Sequence, residues 1–195
     1  MARATRLPRA FYRRDPREVG PELLNKVLRL GPLEARIVEV EAYAGPEDPA
    51  SHTYRGPTAR NATMFGPPGG LYVYFTMGMH FCMNAVCGDE GEGVAVLLRA
   101  AAPMRGLEQM RARRPAARTD RDLCRGPARL CQAFGVDRAL DGADLVRADR
   151  GITIVDDGTS PPSDPVASTR IGISVAVEHP WRWYVAGSPH RSARP

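Results

Sequence analysis

"RIVEVEAYAGPEDPASH", residues 36–52, begins as a strand and ends as a loop. Val38, Val40 and Ala42 alternate with Glu39, Glu41 and Tyr43. A strand's period of two puts both carboxylates and the phenol on one face and the apolar residues on the other. Two neighbouring negative charges are awkward on a half-buried strand. The stretch therefore predicts a sheet strand over 33–43 with a polar face that is either solvated or put to chemical use.

Working outward, "GPELLNKVLRLGP" (20–32) reads as a short helix, with Pro21 near its start, Leu23, Leu24, Val27 and Leu28 on one side, and Gly31-Pro32 as its stop. Residues 1–16 read as a basic flexible arm, leaving 17–195 as one domain. Residues 44–70 show no period and are broken by Pro46, Pro49, Pro57, Pro67 and Pro68. So long a connection is functional or disordered, and Tyr54, Met64 and Phe65 speak against disorder. "LYVYFTMGMHFCMNAVCG" (71–88) holds two apolar runs around Met77-Gly78, a hairpin pattern. "GVAVLLRAAAP" (93–103) is a strand with Ala95, Leu97 and Arg99 on one face. "MRGLEQMRARRP" and "PARLCQAFGV" are helices, and "GITIVDD" and "RIGISVAVE" are late strands. With no repeat and no regular strand–helix alternation, the fold class is α+β: a single domain with a mostly antiparallel curved sheet, peripheral helices and a protruding β-hairpin.

The 195 residues suffice for one sizeable core. A net charge of +5 suits a polyanionic partner such as nucleic acid, or reflects an arginine-rich composition in which Lys26 is the only lysine. Cys82, Cys87, Cys124 and Cys131 form no C-x-x-C pair and the histidines are scattered, so buried free thiols are expected, with no metal and no cofactor. There is no signal-peptide pattern and no run near the ~20 apolar residues of a membrane span. The expected location is cytoplasmic, at the nucleoid in a bacterium, with no membrane partner.

Three readings of the acidic face stand side by side. Glu39 and Glu41 are solvated and paired with arginines; or one is a general base beside an aromatic pocket; or the two form a glycosidase pair, roughly 6.5–7 Å apart as i and i+2 on a strand. The last is awkward, since such carboxyls approach a sugar from opposite sides. Tyr43, His52, Tyr72 and Tyr74 each make sense as packing residues. Together with an acid, Asn84 and Arg99, they suit a flat cationic ring joined to an anionic chain.

These blocks, followed by "LYVYFTMGMHFCMN", "LLRAAAP", "GPARLCQAF", "RIG" and "RWYVAGSP", resemble in order the motifs of the alkyladenine (3-methyladenine, methylpurine) DNA glycosylase family, from about Phe11 to Pro189. The resemblance implies a DNA repair enzyme that flips damaged purines out of duplex DNA, because their glycosidic bond cannot be reached inside the stack. It implies that Glu41 activates water, helped by Arg99 and by the backbone carbonyl of Ile171. Tyr43 and Tyr74 sandwich the base, His52 forms another wall, and Asn84 crowds the exocyclic amine of normal guanine. The implied substrates are 3-methyladenine and 7-methylguanine, with hypoxanthine and ethenoadenine further candidates.

A methylated purine is cationic and leaves readily, so one carboxylate suffices, and Glu39 is left as a supporting or solvated residue. Lys26 lies outside every motif block, so no amine is placed to form a Schiff base; a monofunctional hydrolase acting as a monomer is expected. Two departures stand out. Met77 occupies the hairpin tip where the family carries a tyrosine wedge, an apolar wedge still, but one that stacks less well. Pro57 and Ala59 stand where arginine and proline are expected, leaving Arg55 and Arg60 as phosphate contacts. A non-catalytic lesion-binding protein is the alternative, and a carbohydrate hydrolase is disfavoured by the basic charge.

Overall fold

The computed structural model describes residues 4–192. In chain order the elements are β1 (Thr5–Arg6), α1 (Arg9–Tyr12), α2 (Pro16–Leu23), β2 (Val27–Leu30) and β3 (Leu33–Tyr43), then β4 (Gly70–Thr76), β5 (His80–Cys87) and β6 (Val94–Arg105). The rest comprises α3 (Leu107–Arg113), α4 (Pro127–Phe134), β7 (Ala143–Asp144), β8 (Ile152–Asp156), β9 (Val166–Ser168) and β10 (Arg182–Tyr184). All strands join one curled antiparallel sheet ordered β1-β8-β2-β3-β6-β5-β4-β7, with β10 also on β3 and β9 on β10. The α+β class with a mostly antiparallel sheet is therefore correct.

The strand read first is the centre of the sheet. β6 pairs with it from Glu34 to Tyr43. Its other edge is divided: β2 covers Leu33–Arg36, and β10 covers Glu39–Glu41. Strands on both edges, with α2 against one face, leave no part of residues 37–42 exposed. The β3–β6 ladder slips between Ile37 and Glu39 and slips back at Val40, so Val38 and Arg99 have no directly opposed residue. Core-facing positions thus change parity, from Leu33, Ala35 and Ile37 to Val40 on β3, and from Val94, Val96 and Leu98 to Ala101 on β6. Had the alternation of Leu33, Ala35 and Ile37 continued, Glu39 and Glu41 would enter the apolar core. The irregularity turns them, with Arg99, to the opposite face.

Three local expectations are corrected. The arm 1–16 is packed from residue 4 onward, while residues 1–3 lie outside the described residues. Thr5 and Arg6 pair with β8, Leu7 and Tyr12 are buried, and the Asp15 side chain caps α2 by accepting from the Arg17 N–H at 2.7 Å. The apolar anchors were hidden among arginines. The helix over 20–32 is displaced: α2 ends at Leu23, and Val27–Leu30 is a strand paired with both β3 and β8. Asn25 in the left-handed region (φ 66°) breaks the chain between them. "RIGISVAVE" is not a strand. Gly172 (φ 81°) and Ala176 (φ 51°) turn the chain out of extended conformation, and Val175 and Val177 are each 48% exposed. The other expected late strand, "GITIVDD", is β8, and β9 and β10 flank the segment 170–178.

The core lies between the sheet and the helices, with α2 against β3 and β6, and α4 against β5 and β6. Leu23, Leu28, Ile37, Met83, Leu98 and Phe134 are among its buried side chains. All four cysteines are buried free thiols. No helix among the described residues is long and apolar enough to cross a membrane.

Candidate active site

On the polar face of β3 the Glu41 carboxylate is 0% exposed, yet it is held by two hydrogen bonds and an ion pair. Its Oε1 accepts from the Ile171 N–H at 2.8 Å and lies 3.2 Å from Arg99 Nη1, while its Oε2 accepts from Tyr43 Oη at 2.9 Å. Burial pushes its pKa above the ordinary glutamate value; the Arg99 charge, the Ile171 N–H and the Tyr43 hydroxyl oppose that rise, and the neighbouring Glu39 charge adds to it. A carboxylate has about four acceptor sites; Ile171 takes one on Oε1, where the Arg99 charge also lies, and Tyr43 takes one on Oε2, leaving an acceptor site on Oε2. Tyr43 is itself fixed from behind. The Arg170 guanidinium lies 4.8 Å from its ring centroid and 5.1 Å from that of Trp181, and forms a double hydrogen bond with Asp48 at 2.5 and 2.8 Å.

Tyr43 also lines a cavity of about 410 Å³, within the range of small-ligand sites, together with His52, Tyr74 and Asn84. The segment 172–175 supplies another wall. The His52 ring meets Tyr74 edge-on at 4.6 Å, its Nδ1 lies 3.2 Å from Tyr72 Oη, and Tyr72 stacks on Tyr74 at 5.4 Å. Partial burial, reinforced by the Arg60 charge, holds the His52 pKa below its ordinary value, so the ring is largely neutral at pH 7. Asn84, paired across the hairpin from Tyr72, is buried and donates to the Tyr72 carbonyl at 3.4 Å.

Glu41, Arg99, Ile171, Tyr43, His52, Tyr74 and Asn84 are thus brought together from four strands and two loops. Ile171 reaches Glu41 through its N–H, whereas the sequence reading assigned it a carbonyl contact. Met77 (81% exposed, φ 52°) lies in the three-residue turn between β4 and β5, beside Met79 (68% exposed). Arg60 donates to the Phe75 carbonyl at 3.3 Å, near that turn, and Arg55 is exposed on the loop. Lys26 stands apart, buried with Nζ 2.7 Å from Asp156 Oδ2. Glu39 is not solvated; it is fully buried among Arg99, Arg182 and Ser192. Sequence reasoning missed Asp48, Arg170, Arg182 and Ser192. No local pattern marks the last three, since their partners lie 122 to 153 residues away.

Residues 10–189 match the family described as methylpurine-DNA glycosylase. A relative from Burkholderia lata, named "Putative 3-methyladenine DNA glycosylase", is 60% identical over 187 residues, covering 95% of this chain and 90% of its own. Relatives with the same name from Streptomyces avermitilis (51% over 191 residues, 95% and 90%) and Koribacter versatilis (47% over 201 residues, 100% and 96%) extend the likeness. A match over nearly the whole chain, with a relative 60% identical, establishes that this chain belongs to the methylpurine-DNA glycosylase family, a DNA N-glycosylase among the hydrolases.

Proposed function

We propose that the protein removes alkylated purines, 3-methyladenine and 7-methylguanine first, and also hypoxanthine and ethenoadenine, from duplex DNA after everting the nucleotide into the cavity beside Tyr43. Tyr43 and Tyr74 stack on the base, and Asn84 stands where the exocyclic amine of normal guanine would crowd it. Met77 fills the vacated place in the duplex, while Arg55 and Arg60 meet phosphates. One observation carries the reading: a buried carboxylate with one acceptor site to spare lies a single hydrogen bond from the aromatic wall of a base-sized cavity.

As the C1′–N bond lengthens, its electron pair leaves with the base and the sugar gains oxocarbenium character. Ionised Glu41 stabilises that charge and takes a proton from the water whose oxygen bonds to C1′. A base cationic through N3 or N7 methylation departs neutral and needs no acid. A neutral hypoxanthine must gain a proton, so it is expected to react more slowly.

The test is incubation with methylated duplex DNA. Free methylpurine should appear, with strand breaks only after alkali. Absence of base release would refute the assignment of substrate. With Lys26 paired to Asp156, borohydride should trap no protein–DNA adduct; a trapped adduct would show amine catalysis instead. Tyr74→Ala should weaken lesion binding by roughly 1–3 kcal/mol, the worth of one stacked base, measured as the dissociation constant for an ethenoadenine duplex. Unchanged binding would remove Tyr74 from the pocket.

A further inference from the structure

A second carboxylate lies two residues from Glu41 and has no part in the chemistry above. Glu39 Oε1 accepts from Arg182 Nη1 at 2.9 Å, Ser192 Oγ at 2.8 Å and Arg99 Nε at 3.3 Å. Its Oε2 accepts from the Ser192 N–H at 2.6 Å. Arg99 is shared between the two acids, Nε toward Glu39 and Nη1 toward Glu41. Arg182 is the direct β10 register partner of Glu41, yet its Nη1 goes to Glu39, and its Nε and Nη2 are anchored on the Thr169 carbonyl and Ser168 Oγ at 2.7 and 2.9 Å.

The four side chains carry two negative and two positive charges, so the buried cluster is neutral only when Glu39 is ionised. Without that charge two guanidiniums would face Glu41 alone. A carboxylate so strongly neutralised gives up its proton easily and takes one from water poorly.

We propose that Glu39 is a positioning residue for base excision: by holding Arg182 and one edge of Arg99, it keeps both cations from being spent on Glu41 and preserves Glu41 as a base. This rests on the function proposed above. The remaining groups around Glu41 do not interfere. Burial raises Tyr43, Tyr74 and Cys82 above their ordinary values, so they stay neutral at pH 7, and Arg170 is tied to Asp48.

The experiment is the pH profile of single-turnover base release from methylated duplex DNA by wild type, Glu39→Gln and Arg182→Met. Glu39→Gln should move the acid limb to lower pH by about half a unit or more and lower the plateau rate by up to about threefold per half unit, following the loss of basicity. Lesion binding should stay within about threefold of wild type, because no group touching the base has changed. Arg182→Met removes a cation and keeps Glu39, so its acid limb should move the opposite way, to higher pH. Opposed shifts from two partners in one ion pair are not produced by general loosening of the fold. If Glu39→Gln does not fold, the upward shift in Arg182→Met carries the test. An unmoved limb in any variant that folds, or shifts in one direction for both, overturns the proposal. Should wild type release no base, or Glu41→Gln keep full rate, it is instead the proposed function that fails.

Discussion

Glu41→Gln is expected to yield a folded protein that binds methylated DNA and releases almost no base. Removing a positioned general base lowers rates by roughly 10²–10⁴, and here the same group also offsets the sugar's developing charge, which places the loss at the upper end. Glutamine still accepts from the Ile171 N–H through its amide oxygen, so the pocket's shape survives. Single-turnover release measured beside lesion binding separates the outcomes: near-wild-type release would remove Glu41 from the chemistry.

The pH dependence follows from the same burial. The folded-state pKa of Glu41 is raised, so activity needing its ionised form is lost as pH falls through that raised value, above the ordinary glutamate range. For stability the sign is reversed. A raised carboxyl pKa contributes stability fully below the unfolded-state value and loses it as pH rises through the folded value. At pH 7 ionised Glu41 is therefore a net cost to folding, and glutamine removes it. Glutamine also leaves Arg99 with Glu39 as its one carboxylate partner, so Glu41→Gln should lower the unfolding midpoint by less than Arg99→Met does; an equal or larger fall would show that the Glu41 charge holds the fold together.

Arg99→Met is expected to have the largest effect on stability. Arg99 reaches two fully buried carboxylates from the ladder irregularity of β6. Taking away one partner of a buried ion pair leaves an uncompensated charge and typically costs about 3–5 kcal/mol. For a domain of this size each kcal/mol lowers the unfolding midpoint by about 2–4 °C, so a fall of about 10 °C is expected. With its cation gone, Glu41 protonates at higher pH, so the residual activity should survive only on the alkaline side. Arg105→Met, on the exposed end of the same strand, is the control and should change stability by no more than about 0.5 kcal/mol. Equal effects at the two positions would show that the buried cluster is not specially coupled.

The strand that opened the reading illustrates how far local pattern reaches. Residues 33–43 were legible because β-branched and acidic residues alternate at the period of a strand, and α3, α4 and β8 because their apolar spacing and stop residues agree. The same logic failed over 20–32 and 170–178. Leu, Val and Ile satisfy helix, strand and exposed loop alike, and the choice there fell to Asn25, Gly172 and Ala176 in left-handed conformations and to which edge of β3 was free.

The sequence by itself determined the chemistry on offer: an acid, an arginine, an amide and stacking rings in an order specific enough to point to one family. Tertiary structure alone decided how that chemistry is held. The parity change at Ile37–Val40 turns two acids away from the core, Arg182 and Ser192 then meet Glu39, and Arg170 meets Asp48, each from more than a hundred residues along the chain. The physical reason is that burial and charge balance depend on distance in space. Neither the face a carboxylate takes nor the cation that neutralises it is encoded by neighbours along the chain.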